Sequence, residues 1–220
     1  MRAGIFLLFA FYKSNICFNI GAKTDGGRDD VDFLRGKVPD GEEADRLVAL
    51  INDILRLSQL DEGGALPHEQ VSVLELAQEA ARSLTAQAAA QAVHISVTGT
   101  AGTVFGVRRL LYEIARNLCE NAVKYNVPGG SVTVEVAETD RDVTLLVRDT
   151  GIGIPEGDQS RVFERFYRVD KSHSRAIGGT GLGLSIVKHA VAYHHGTLRL
   201  ESQPGKGTVI TVTLPKKPTE

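Results

Sequence analysis

Asp149-Thr150-Gly151-Ile152-Gly153-Ile154-Pro155 is the stretch that decides the fold of this chain. Residues 143–147 before it are β-branched or leucine and predict a buried strand, so Asp149 stands where a strand ends and a loop begins. A carboxylate there can accept a hydrogen bond from the exocyclic amine of adenine, whereas guanine presents an acceptor at that position. Gly151 and Gly153 remove the Cβ atoms that would hold a flat ring away from the backbone. The same seven residues are also typical of an ordinary turn.

A second group of candidate binding residues lies on a helix predicted over residues 108–125. Its core-facing side is indicated by apolar residues with helical spacing, namely Leu110, Leu111, Ile114, Leu118 and Ala122. Asn117, Asn121 and Lys124 follow one another at i, i+4 and i+7 on a shared face. Asparagine is a poor helix former, so two of them one turn apart indicate a ligand. Amide oxygens suit Mg²⁺ and an ammonium suits phosphate, although a solvated polar face is the alternative.

A glycine-rich run, Gly178-Gly179-Thr180-Gly181-Leu182-Gly183-Leu184, leads into an amphipathic helix predicted to end at Gly196. Glycines before a helix expose backbone N–H groups, and the helix N-terminus adds partial positive charge, so the run suits phosphate. A helix start of this composition also occurs without any ligand.

Three aromatic residues stand close together between these motifs, in Val162-Phe163-Glu164-Arg165-Phe166-Tyr167-Arg168. We expect them to be buried as a hydrophobic latch or as the hinge of a mobile cover. The polar residues 169–177 that follow carry several cations and are typical of a lid.

The other elements follow from local patterns. Ser72-Val73-Leu74-Glu75 has the form of a capping box, and the helix that it starts is expected to continue through Leu84 to Gln91. Further strands are predicted at residues 93–97, 103–105, 198–201 and 209–214, and residues 131–137 are expected to form a hairpin with residues 143–148. Residues 42–60 predict a helix with a broad apolar stripe, suited to a helical bundle across a dimer or to packing on its own domain. Residues 1–41 predict an irregular or disordered segment.

Composition excludes several classes of protein. The 220 residues are 42% hydrophobic, enough for one good domain and something smaller, and a formal net charge of -2 gives no indication of a nucleic-acid partner. The two cysteines, Cys17 and Cys119, have neither metal-site nor disulfide-framework spacing, which favours a reducing cytoplasmic environment. The longest apolar run, residues 5–12, is far shorter than the roughly 20 residues of a membrane helix.

Together and in this order, the stretches at residues 117–125, 149–155, 163–168 and 179–184 resemble the N, G1, F and G2 boxes of the catalytic ATP-binding domain of bacterial sensor histidine kinases. The likeness covers about residues 66–214, so we expect a catalytic domain over residues 66–217. Residues 42–64 resemble the second helix of that family's dimerisation hairpin. The resemblance implies an α+β fold, a two-layer sandwich of the histidine kinase and gyrase type preceded by a long helix.

The resemblance also implies roles for individual residues. It assigns Asp149 to the adenine amine, Asn121 to Mg²⁺, Asn117 and Lys124 to catalysis on the phosphate side, and Gly181 and Gly183 to the phosphate cradle. Arg165 and Arg168 match the F box and are expected to approach phosphate. Further nucleotide contacts are implied for Tyr125, Gly151, Gly153, Ile154, Gly179, Thr180, Leu182 and Leu184. The implied cofactors are ATP and Mg²⁺.

The reaction class also follows from the resemblance. In hydrolysing relatives a glutamate one turn before the magnesium asparagine activates water, and this chain has the neutral amide of Asn117 there. We therefore expect transfer of the γ-phosphoryl to a histidine in two-component signalling. The implied partners are a histidine-bearing dimerisation hairpin, a response regulator and, for an intact parent anchored in a membrane, a second copy of the chain.

The chain departs from the family at the acceptor. The His-Glu-x-x-x-Pro pattern should precede residues 42–60, but the first histidine is His68, followed by Glu69-Gln70-Val71-Ser72-Val73 without proline. We interpret His68 as a linker residue and expect a truncated kinase that lacks its own acceptor. The alternatives are a non-catalytic ATP-binding module that competes for a dimer partner, and a serine kinase of the related anti-sigma type.

Overall fold

The computed structural model describes residues 66–169 and 180–217. In chain order its elements are β1 (Glu69–Ser72), α1 (Val73–Ser83), α2 (Thr85–Ala90), β2 (His94–Gly99), β3 (Thr103–Gly106), α3 (Arg108–Lys124), β4 (Ser131–Glu138), β5 (Asp142–Asp149), α4 (Glu156–Gln159), α5 (Gly183–Tyr193), β6 (Thr197–Gln203) and β7 (Gly207–Pro215). The irregular segment predicted at residues 1–41, the helix predicted at residues 42–60 and most of the polar segment at residues 169–177 lie outside the described residues.

The principal sheet has five strands in the order β2-β4-β5-β7-β6. β2 pairs with β4 in parallel, and the other neighbouring strands are antiparallel. β1 and β3 form a separate antiparallel pair. The mixed sheet and the helices confirm the predicted α+β class, and the β4–β5 pairing confirms the predicted hairpin.

The core lies between one face of the sheet and the helices. Along β5 the buried residues alternate, Val143, Leu145 and Val147, as expected of a strand with one covered face. From α3, Leu110, Ile114 and Leu118 are buried against them, as the helical spacing predicts. Each such side chain contributes roughly 1.5–3 kcal/mol on burial, so this contact layer sets the position of α3 over the sheet.

The helix predicted to run from Ser72 to Gln91 is in fact two helices. Its start is confirmed, because the Glu75 N–H donates to Ser72 Oγ at 3.3 Å. The break falls at Leu84, where the Thr85 hydroxyl donates to Arg82 O at 2.9 Å. A hydroxyl that bonds the preceding turn competes with the backbone ladder, which explains the interruption.

The start of α3 at Arg108 agrees with the prediction. Val107 is the N-cap residue, and its N–H donates to Nε2 of His194 at 3.0 Å. The imidazole fits there because a Cβ on Gly106 would lie 2.6 Å from Cδ2 of His194. His194 follows α5, which ends at Tyr193 and not at the predicted Gly196.

Among the described residues, no helix is both long enough and apolar enough to cross a membrane.

Candidate nucleotide-binding site

The N-terminus of α5 meets the polar face of α3. A Cβ on Gly183 would lie 3.0 Å from Oδ1 of Asn117 and 3.8 Å from Nδ2 of Asn121, so glycine permits the close approach. Gly183 is the first residue of α5, whereas the sequence placed it before the helix. In the described part of the chain no side chain caps this helix start, so its first-turn N–H groups have no capping acceptor there.

Asn117 is oriented by the turn before it. Its Nδ2 donates to the carbonyl oxygen of Glu113 at 2.8 Å and to the Glu113 carboxylate at 3.5 Å. Glu113 is buried, while Asn117 and Asn121 are half-buried. The amide nitrogen of Asn117 is therefore occupied, and its oxygen is the atom nearest Gly183.

Lys124 and Tyr125 end the polar face of α3. The Lys124 ammonium lies 5.6 Å from the centroid of the Tyr125 ring, within cation–π range. Burial raises the pKa of the Tyr125 phenol, and the positive charge of Arg168 acts in the opposite direction. Arg168 is therefore close enough to Tyr125 for an electrostatic effect on the phenol.

Asp149 lies at the end of β5, where burial and hydrogen bonding act in opposite directions on the pKa of its carboxyl group. Its Oδ1 accepts hydrogen bonds from the backbone N–H groups of Gly151 at 2.8 Å and Thr208 at 3.2 Å. Burial raises the pKa of the carboxyl group, and these two hydrogen bonds lower it. Because both bonds use one oxygen, the other can accept from a ligand.

The loop after Asp149 is fixed to the end of α3 and to the β6–β7 turn. The Ile152 N–H donates to Tyr125 O at 3.1 Å, and a Cβ on Gly151 would lie 2.2 Å from that same oxygen. Gly153 has a φ of +70°, and its Cβ would lie 2.1 Å from Gln203 O. The Ile154 N–H donates to Ser202 Oγ at 2.8 Å. Close packing against Tyr125 O and Gln203 O therefore requires glycine at both positions, which the sequence did not indicate. That these glycines also make room for an adenine ring stays a prediction.

The aromatic segment after Pro155 is less buried than predicted. Phe166 is 56% exposed and has a φ of 65°, while Phe163 and Tyr167 are half-buried. The Tyr167 hydroxyl donates to Asp158, and the Arg161 guanidinium lies 4.2 Å from the Tyr167 ring centroid. Burial is therefore the wrong expectation for Phe166.

That contact joins the two motifs. The Phe166 N–H donates to Gly181 O at 3.0 Å, and Gly181, with a φ of +73°, would bring a Cβ within 3.0 Å of the Phe166 backbone. Arg165 Nη2 lies 3.2 Å from Nε2 of His189 on α5. The arginine-bearing segment is therefore attached to the start of α5.

Residues 106–218 match the family model described as histidine kinase-, DNA gyrase B- and HSP90-like ATPase. The chain belongs to this family. The sensor-like histidine kinase SenX3 of Mycolicibacterium smegmatis is 42% identical over 180 residues, which are 80% of this chain and 46% of the relative. The chain thus spans about half the length of this curated relative.

Solved structures of the family have the same architecture. A mycobacterial sensor histidine kinase, MprB, is 33% identical with a TM-score of 0.60 over 70% of this chain and 100% of that chain. Full-length ShkA in complex with AMPPNP is 27% identical with a TM-score of 0.69 over 89% of this chain and 40% of that chain. These likenesses confirm the resemblance on which the sequence interpretation rests.

Several of the predicted residues are brought into neighbouring positions. Two groups have direct contacts: Asn117, Asn121 and Gly183; and Tyr125, Asp149 and Gly151. Arg165 contacts His189, and Gly181 bonds the neighbouring Phe166. Leu182 is fully buried against Ile186, which leaves only its backbone for a ligand, and Leu184 packs against the core. The Leu182 N–H donates to Thr180 Oγ1 at 3.3 Å. Gly179 lies outside the described residues.

Two residues that contribute to the candidate site carry no clear signal in the sequence. Thr208 donates its backbone N–H to Asp149, and no side-chain pattern marks such a donor. Asn126 donates to Ala122 O and Ser131 O, both at 3.0 Å, and accepts from the Thr150 hydroxyl at 3.2 Å. Asn126 follows the asparagine-bearing helix directly, and that adjacency was the available signal.

Proposed function

We propose that this domain binds ATP with Mg²⁺ and transfers the γ-phosphoryl group to a histidine in two-component signalling. The observation that carries the proposal is the contact of Gly183 with Asn117 and Asn121. It joins two amide side chains to a helix N-terminus, a combination that suits a phosphate chain and its cation.

The adenine end of the proposed site is Asp149. A half-buried carboxylate with one oxygen held by two backbone N–H groups offers the other to an exocyclic amine. The same oxygen would face an acceptor in guanine, so the proposal includes a preference for adenine.

The magnesium end depends on Asn121. The described residues contain no group of three or more His, Cys, Asp or Glu side chains that could hold a metal ion. Mg²⁺ keeps several waters and commonly shares substrate phosphates as ligands, so an amide oxygen at Asn121 fits a cation that arrives with ATP. Bound there, the cation would neutralise phosphate charge, while Asn117 and Lys124 would orient the phosphate chain.

Transfer is favoured over hydrolysis by the neutral amide of Asn117. The carboxylate one turn earlier, Glu113, is buried and hydrogen-bonded to that amide. An amide cannot take a proton from water, so the domain mainly supplies position and charge. We propose that the acceptor is a histidine on a dimerisation hairpin and that a response regulator receives the phosphoryl group next.

The test is transfer to a supplied acceptor. The chain is incubated with Mg²⁺, γ-phosphate-labelled ATP and a separately purified hairpin that carries the His-Glu-x-x-x-Pro pattern, and labelled products are treated with acid and with base. We expect acid-labile, base-stable label on the hairpin. Acid-stable label would favour the serine-kinase alternative. ATP binding without any label would favour the non-catalytic module.

The magnesium assignment has its own test. In the Asn121→Ala variant, ATP affinity should become nearly independent of Mg²⁺, because the protein ligand of the cation is lost. Glu120→Gln is the matched control, since Glu120 neighbours Asn121 on α3 but pairs with Arg116 at 3.4 Å. Titration calorimetry with and without Mg²⁺ measures the effect. An unchanged magnesium dependence in Asn121→Ala would contradict the assignment.

A further inference from the structure

His189 has one hydrogen-bond partner at each ring nitrogen. Its Nδ1 lies 2.8 Å from Ser185 O, and its Nε2 lies 3.2 Å from Arg165 Nη2. A guanidinium can only donate, so Nε2 must accept. A carbonyl oxygen can only accept, so Nδ1 carries the hydrogen. The two contacts therefore require a neutral imidazole in a single tautomer.

His189 lies in the second turn of α5. Helical side chains lean toward the N-terminus, and His189 accordingly reaches back to Ser185, the third residue of the helix. Gly183, at the same helix start, adjoins Asn117 and Asn121. The contact with Arg165 thus lies on the helix whose first residue borders the proposed phosphate site.

Arg165 is restrained from two directions. Its neighbour Phe166 is bonded through the backbone to Gly181, and its guanidinium contacts His189. A helix N-terminus carries partial positive charge and disfavours a nearby cation until an anion arrives.

We propose that His189 is a positioning residue that holds the Arg165 guanidinium beside the start of α5, toward the terminal phosphate of a bound nucleoside triphosphate. The ligand named in this inference depends on the proposed function. The contact between His189 and Arg165 does not depend on it. Arg165 would touch the phosphate, and His189 would act through Arg165.

The first measurement needs no nucleotide. Imidazole nitrogen shifts are recorded on the ¹⁵N-labelled chain, with the His189 signals assigned by their loss in His189→Gln. We expect the Nδ1–H tautomer and a change of the Nε2 shift in Arg165→Ala. A ring that protonates freely or exchanges between tautomers, with no response to Arg165→Ala, would overturn the proposal whatever the protein does with ATP.

The second measurement compares ATP with ADP, both with Mg²⁺, in Arg165→Ala, His189→Leu, His189→Gln and the Arg165→Ala/His189→Leu double variant. Arg165→Ala and His189→Leu should each weaken ATP binding about three- to tenfold and ADP binding by less than about twofold. Glutamine retains an acceptor oxygen, so His189→Gln should keep most of the ATP affinity that His189→Leu loses. The double variant should be no weaker than Arg165→Ala, because both substitutions remove one interaction. Lys188→Ala, an exposed neighbouring cation, controls for general charge loss.

Several outcomes would overturn the proposal. Multiplicative losses in the double variant would mean that His189 acts independently of Arg165. Equal losses for ATP and ADP would mean a general effect on the fold, and full ATP affinity in Arg165→Ala would leave His189 nothing to position. Failure of the unaltered chain to bind ATP would refute the proposed function instead, and the tautomer measurement would still report on the contact.

Discussion

At the scale of single residues, Asp149 combines a proposed role in binding with a cost in stability. Its raised pKa means that the folded protein favours the protonated carboxyl more than the unfolded chain does. The contribution of this group to stability is therefore largest below the ordinary pKa of an aspartate and is lost as the pH rises through the raised value. Above the raised pKa the ionised carboxylate costs stability, which fits the role in binding that we propose for it.

Asp149→Asn should consequently separate binding from stability. The side-chain amide of asparagine would oppose the adenine amine, so ATP affinity should fall about ten- to a hundredfold. The free energy of unfolding at pH 7 should be equal to or greater than that of the unaltered chain, since the amide carries no charge to desolvate. Calorimetric titration and urea denaturation measure the two effects. Unchanged ATP affinity would remove Asp149 from the site.

At the scale of elements, the loop after β5 depends on a close backbone approach. Gly153 and Gly205 have nearly the same φ, +70° and +75°, but a Cβ on Gly153 would lie 2.1 Å from Gln203 O, whereas one on Gly205 would meet nothing within 4 Å. The backbone conformation alone costs an L-residue about 1–2 kcal/mol. The two positions therefore differ mainly in the space around them.

Alanine at these positions separates conformation from contact. Gly205→Ala should lower the free energy of unfolding by about 1–2 kcal/mol. Gly153→Ala should cost clearly more and should also weaken ATP binding, because the loop that carries Ile154 must move away from the β6–β7 turn. Urea denaturation of both variants gives the comparison. Equal losses would show that the close approach to Gln203 is unimportant.

His194 links α5 to the start of α3. Burial, above all, lowers the pKa of its imidazole; the hydrogen bond with Ala190 O raises it, and His68 and His195 lower it further. Nε2 can accept from the Val107 N–H only while it is unprotonated. The unfolded chain therefore binds more protons here, so this contribution to stability is present above the ordinary histidine pKa and is lost as the pH falls below it toward the lowered value.

His194→Phe should remove that pH dependence. With the buried Val107 N–H left without its acceptor, the free energy of unfolding at pH 7 should fall by about 1–3 kcal/mol. Between pH 7 and pH 5 the variant should lose less stability than the unaltered chain. Denaturation across this range measures both effects, with His94→Phe at an exposed strand start as the control. Parallel pH profiles would contradict the assignment to His194.

At the scale of the whole molecule, the candidate site is assembled from segments that are far apart in the chain. Asp149 and Thr208, which share a hydrogen bond, are 59 positions apart, and Gly183 meets Asn117 across two helices. A ligand that bridges these segments binds only the folded chain, so its binding free energy adds to stability.

ATP should accordingly stabilise the domain against unfolding. With Mg²⁺ present and ATP at roughly 100 times its dissociation constant, the free energy of unfolding should rise by about 2.7 kcal/mol. Thermal denaturation with ATP, with GTP and with neither measures this effect. GTP at the same concentration should give a much smaller shift, and Asp149→Asn should reduce the ATP shift. Equal shifts with ATP and GTP would contradict the adenine preference.

The sequence by itself determined the elements whose signals are local. The alternation along β5, the Ser72 cap, the β4–β5 hairpin and the apolar face of α3 all depend on residues a few positions apart, where periodicity and turn chemistry act directly. The candidate residues could also be recognised from the sequence. Asparagines inside α3 and glycines at the start of α5 are both uncommon in helices without a structural or functional reason.

The tertiary structure alone decided the contacts between distant segments. The Val107 N–H bonds an imidazole 87 positions away, and Arg165 bonds His189 on a different element. Phe166 is exposed, against the tendency of aromatic residues to be buried, and its backbone N–H bonds Gly181. Such contacts are set by how the helices pack over the sheet, and packing depends on shape and distance between segments, which no local pattern encodes.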